Sequence, residues 1–100
     1  MKVSVDLSLI PIGVGVSLSP SIATAIRVLK SHGFQPVTHG HGTAIEGEYD
    51  AVFAAIRAAI EAVHTDGAPR VSTSIKLSSR TDREQSDADR VASVERRLKS

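Results

Sequence analysis

The sequence predicts an α+β fold in which two helices cover one face of a four-stranded antiparallel sheet, with an additional helix at the C-terminal end. Three observations predict it. Two segments alternate strictly between apolar and polar residues, one near the start and one near residue 75. Two apolar stripes at helical spacing lie between them. A glycine-marked turn joins two short strand-like runs in the middle. Period two marks half-buried strands and period 3.6 marks helices with one buried face.

Taken in order, residues 2–10 place Val3, Val5, Leu7 and Leu9 on one face and Ser4, Asp6 and Ser8 on the other. Pro11 and Gly13 stop this strand. Ser19-Pro20 then reads as a helix N-cap with proline at the first helical position. Ile22, Ile26 and Leu29 form the stripe of that helix, and Gly33 ends it. Residues 34–39 and 43–48 read as a second and third strand about the turn at Gly40 and Gly42. Val52, Ile56, Ile60 and Val63 are the stripe of a second helix that ends near Gly67, and Val71, Thr73, Ile75 and Leu77 alternate as a fourth strand. The order is βαββαβ, the split βαβ arrangement of ferredoxin-like folds. Residues 79–87 are all polar or charged and read as a surface loop. A third helix comes next, with Asp87 as its cap and Val91, Val94 and Leu98 as its stripe. Eleven of the 23 charged residues lie from Arg80 onward, six basic and five acidic, a mixture that marks a solvated helix face.

One hundred residues make one domain, 1–100, and only Phe34, Tyr49 and Phe53 are aromatic, so the core is built from Val, Ile, Leu and Ala. A chain this short buries about 60–70% of its unfolded surface, so association with another copy would help it. The absence of cysteine excludes disulfides, thiolate metal sites and a cysteine nucleophile, and it fits a cytoplasmic protein. No basic stripe with interleaved aromatics points to nucleic acid, and no apolar run approaches the ~20 residues of a membrane span.

The densest polar cluster is His39-Gly40-His41-Gly42-Thr43-Ala44-Ile45-Glu46-Gly47-Glu48. His39 and His41, two apart on an extended segment, read either as polar turn residues or as two metal ligands that would need Glu46, Glu48 or a partner chain to complete a site. Pro11-Ile12-Gly13-Val14-Gly15 lacks the third glycine of a dinucleotide fingerprint, though it leads to Ser19 and a helix N-terminus, whose free N–H groups favour an anion. No nucleophile, base and acid can be assembled, so no enzyme is expected and no cofactor is implied.

Ile10-Pro11-Ile12-Gly13, then Gly42-Thr43-x-Ile45-Glu46-Gly47, then Arg70-Val71-Ser72-Thr73-x-Ile75-Lys76, and finally Arg80-Thr81-Asp82-Arg83 and Val91-x-x-Val94-Glu95, resemble in order and separation the signature blocks of the thiamine-binding protein family. The resemblance spans about residues 3–98. Many members carry an acidic pair before the arginine that matches Arg80, where this chain has Ser78-Ser79, and many have methionine where His41 stands. The resemblance implies a non-catalytic protein that binds thiamine or its hydroxymethylpyrimidine portion and assembles as a homodimer or homotetramer through extended sheets. It implies a ligand site at Ile10, Pro11, Ile12, Gly13, Ser19, Thr43 and Glu46. Glu46 would accept from the ring amino group, and Thr43 with the main chain of residues 10–13 would complete an edge-on set of hydrogen bonds. The alternative is a structural or regulatory oligomer that binds an anion, or a metal through His39 and His41.

Overall fold

A computed structural model describes residues 1–83 and 86–99. Its elements are β1 (Lys2–Ile12), α1 (Ser19–Ser31), β2 (Val37–His39), β3 (Gly42–Glu48), α2 (Tyr49–Thr65), β4 (Arg70–Ser79) and α3 (Asp87–Leu98). The strands form one antiparallel sheet in the order β2-β3-β1-β4, which is the ferredoxin-like arrangement expected from the sequence. The loop expected over 79–87 includes positions 84 and 85, which lie outside the described residues.

The alternation of β1 sorts its side chains as expected. Val3, Val5, Leu7 and Leu9 are buried against the helices, while Ser4, Asp6 and Ser8 face the other side. They meet Ile45 of β3, Ala25 and Leu29 of α1, and Val52, Ala55, Ile56, Ala59 and Val63 of α2. Two of the α2 residues are alanines that periodicity alone undervalues; their small size lets helix and sheet approach closely. Only part of the α1 stripe is core: Leu29 is buried, whereas Ile22 and Ile26 are half-exposed. Gly47 is required where Phe34 crosses β3, because a Cβ there would lie 2.7 Å from Phe34 Cε1.

Two helix starts differ from expectation. Ser19 is not the cap of α1: Leu18 is, with its carbonyl accepting from the Ile22 N–H at 3.1 Å, so Ser19 is already inside the first turn. Asp87 is not the cap of α3 either. Ser86 Oγ accepts from the Asp89 N–H at 3.0 Å and Asp89 Oδ2 accepts from the Ser86 N–H at 3.0 Å, a reciprocal capping box. The stripe of α3 exists but is not buried: Val91 and Val94 are 57% exposed and Leu98 79%.

Leu29 is 1% exposed at the centre of the core, and Leu29→Ala is expected to cost about 2–5 kcal/mol. Urea unfolding checks this, as a lower midpoint with an unchanged slope.

Candidate functional site

The register of the sheet creates an opening. β3 pairs with β1 from Lys2↔Glu48 to Leu7↔Thr43 and then turns away, whereas β1 continues to Ile12 with β4 alone as its partner. Above the unpaired stretch stands the first half of α1, and beside it the β2–β3 turn. Between them lies a cavity of about 320 Å³ bounded by Leu7–Ile10, by Leu18, Ile22, Ala25, Ile26 and Leu29 of the helix, and by Thr38–Thr43 of the turn. Its volume falls in the range of small-molecule sites, and its walls are mainly aliphatic, with Thr43 as a polar member. Consecutive strand side chains point to opposite faces, so four consecutive residues of β1 can line one cavity only where it meets the strand's edge.

The turn is held by the His39 ring. His39 Nε2 lies 2.7 Å from Asp6 Oδ1, and His39 Nδ1 accepts from the His41 N–H at 3.2 Å. An Nδ1 that accepts carries no hydrogen, so the ring proton sits on Nε2 and is donated to Asp6. Both nitrogens of His39 are engaged, and among the described residues no group of three or more His, Asp or Glu side chains could hold a metal ion. At the cavity's other end, Ile10 and Leu18 flank a loop that carries the exposed Val14 and Val16. Gly13 opens that loop at φ +89°, and a Cβ on it would meet Pro69 Cγ at 2.8 Å.

The residues expected to form one ligand site are not all brought together. Ile10 and Thr43 line the cavity. Pro11 is buried next to it, Ile12 and Gly13 lead into the loop, and Ser19 lies exposed on the first turn of α1, outside the lining. Glu46 is three residues from Thr43 on a strand, an odd spacing, and so projects from the opposite face of the sheet. There its Oε2 accepts from the Asp87 N–H at 3.0 Å, pinning the start of α3 to the sheet. Ser4 Oγ donates to Asp87 Oδ1 at 2.7 Å, and Arg90 pairs with the same carboxylate. On this face Lys2, Ser4, Glu46, Ser78, Ser79, Arg80, Arg83 and Arg90 line a smaller polar cleft of about 150 Å³. Arg80 there grips Asp82 and holds its carboxyl at about 2. Ile22 and Ile26 line the cavity, which the sequence does not reveal: their apolar spacing reads wholly as core, and only the short pairing of β3 separates wall from core.

The architecture is thus a ferredoxin-like sheet with an apolar side cavity under its first helix. The thiamine-binding protein family matches residues 5–95, and the chain belongs to that family. A UPF0045 protein of Synechocystis is 47% identical over 95% of this chain and 78% of its own length. A UPF0045 protein of Methanocaldococcus jannaschii is 34% identical over 99% and 91%, and its crystal structure superposes with a TM-score of 0.86 over 94% of this chain and 96% of that one. A Thermotoga maritima structure shares the fold at 18% identity, with a TM-score of 0.81 over 94% and 99% of the two chains.

The capping box makes the attachment of α3 depend on pH. Bonds from the Ser86 main chain and side chain are the main cause that holds the Asp89 carboxyl below its ordinary 3.8. Such a group stabilises the helix fully above the ordinary carboxyl value and ceases to do so as pH falls through its lowered one. Protection factors of the α3 amides, taken relative to intrinsic exchange at each pH, are expected to fall as the pH drops below the ordinary carboxyl range and to show no such step near neutrality.

Proposed function

We propose that this protein binds a small heteroaromatic ligand of the thiamine type in the cavity under α1, acting as a cytoplasmic homo-oligomer with no chemistry of its own. The observation that carries the reading is the cavity itself, an aliphatic slot with a polar strand edge at one side, in a chain of the thiamine-binding protein family. The Thermotoga maritima protein of the same fold is described as a candidate thiamine biosynthesis/salvage protein, which agrees with that choice of ligand. Flat rings suit such a slot: aliphatic walls cover the faces, and hydrogen bonds form at the rim. Among the described residues no helix is long and apolar enough to cross a membrane, in keeping with a protein that works in an aqueous compartment.

Isothermal titration with thiamine, its pyrimidine fragment and divalent metals tests the reading. Thiamine or the fragment is expected to bind and metals are not. Ile22→Trp, which fills the cavity from a half-exposed helix position, is expected to weaken binding at least about tenfold without unfolding the chain. Glu46→Gln, on the other face, is expected to leave affinity within about twofold, because its carboxylate serves α3. A parent protein that binds neither thiamine nor the fragment would refute the assignment.

Assembly rests on separate features. β4 is a ten-residue edge strand with one side unpaired, and the Val91, Val94 and Leu98 stripe of α3 is exposed. Light scattering is expected to give at least twice the chain mass of 10.6 kDa, and a stable monomer at micromolar concentration would exclude the proposal.

A further inference from the structure

The geometry points to the main chain of Leu9 as the ligand-reading element of the cavity: its N–H and C=O form one open donor–acceptor pair, which a planar nitrogen heterocycle with an amino group beside a ring nitrogen would fill edge-on. This rests on the small-ligand reading and goes beyond it by naming the recognising groups and the ligand edge they select.

The direction of the β1 main chain is fixed by the register. In an antiparallel pair the N–H and C=O of one residue point to the same neighbour, and successive residues alternate. The Tyr49 N–H donates to Met1 O at 2.9 Å, continuing the register of Lys2↔Glu48 by one residue. Odd-numbered residues of β1 therefore face β3, and even-numbered ones face β4. Pro11 agrees: it has no N–H, and it pairs with Val71 at a position where this parity asks for none on the β4 side.

Leu7 meets Thr43 as the last such pair. The same register would bring His41 opposite Leu9, but the chain is already turning, and the His41 N–H is donated to His39 Nδ1 instead. Among the described residues, no backbone or side-chain hydrogen bond reaches Leu9 from this side. Leu9 is 7% exposed, and Leu7, Ser8, Leu9 and Ile10 together line the cavity. A donor and an acceptor are thus left without a protein partner beside an aliphatic slot, where polar groups are normally paired.

Pro11 limits the choice of occupant. A peptide strand added at Leu9 would meet Pro11 as its next partner, which offers no N–H, so the ladder ends after one residue. One donor and one acceptor at strand spacing match a ring with an exocyclic amino group next to a ring nitrogen. The amino group donates to Leu9 O, and the ring nitrogen accepts from the Leu9 N–H. The aminopyrimidine of thiamine presents this edge, while Ile22 and Ile26 would lie against the ring face.

The test replaces the Ser8–Leu9 peptide bond with an ester by incorporating leucic acid at position 9, which removes one donor and keeps the Leu9 side chain in the core. Thiamine affinity is expected to fall about tenfold by titration calorimetry. In the unmodified protein, the Leu9 amide resonance is expected to move downfield on thiamine addition, with slower hydrogen exchange. An analogue with CH in place of the ring nitrogen beside the amino group is expected to bind the parent about as weakly as thiamine binds the ester protein. If thiamine binds the parent while the Leu9 amide stays unmoved and the CH analogue binds equally well, the inference is overturned and the small-ligand reading stands. If thiamine fails to bind the parent, that reading fails first and the inference falls with it.

Discussion

The candidate site depends on one mismatch of length. β1 runs eleven residues, β3 runs seven, and their pairing ends at Leu7↔Thr43. Had β3 begun two residues earlier, its main chain would occupy the edge of Leu9 and its side chains would fill the space under Ile22 and Ile26. Because the turn at Gly40 and His41 comes first, the sheet is four strands wide beside Asp6 and Leu7 but only two, β1 and β4, beyond them. The first helix roofs the gap. A cavity made in this way combines two surfaces that proteins seldom leave together, an aliphatic wall and an unpaired strand edge, and that combination suits a flat polar-rimmed ligand.

The turn is kept from closing the gap by a short chain of hydrogen bonds. Asp6 orients the His39 ring, and the ring's other nitrogen holds the His41 N–H. The His39 ring thus ties the turn to β1 and draws the backbone of residue 41 away from Leu9. A metal at this place would compete with Asp6 for one nitrogen and with the main chain for the other. That Asp6 reaches the turn at all is a result of alternation: it lies on the polar face of β1, opposite the buried Val5 and Leu7.

Most of the fold is legible in the sequence because it rests on periodicity, and periodicity reports which face of an element is buried. The alternating residues of β1, the stripe of α2 and the element order all read directly. The two helix starts do not, since Ser19 and Asp87 are as good caps by type as Ser86, and the choice is made by which carbonyl or carboxylate completes the first turn. The expected site is half legible. Ile10 and Thr43 line the cavity, but Glu46 groups with Thr43 only by closeness along the chain, and an odd spacing on a strand sends such a pair to opposite faces. Ile22 and Ile26 mislead for the converse reason: a periodic stripe shows which side of a helix is apolar, not where the sheet beneath it stops.

The opposite face of the sheet obeys a different logic. Ser4, Glu46 and Asp87 lie where a solvated sheet needs no hydrogen-bond network, yet they fasten the first turn of α3 to β1 and β3. A hydrogen bond to a carboxylate contributes about 1.5–3 kcal/mol and less where water reaches it, too little to order a twelve-residue helix alone, so the capping box and the Arg90–Asp87 pair act with these bonds to fix the helix direction. Beyond that turn the apolar stripe of α3 stays exposed instead of being buried on the sheet. The short serines of β1 and β4 leave the sheet face flat, with little apolar surface to reward such a return. The cavity and α3 therefore sit on opposite faces but share β1 and β3, with Thr43 and Glu46 marking the two sides of one strand. The two faces are joined through the register of that strand, whose last pair with β1, Leu7↔Thr43, also defines where the cavity begins.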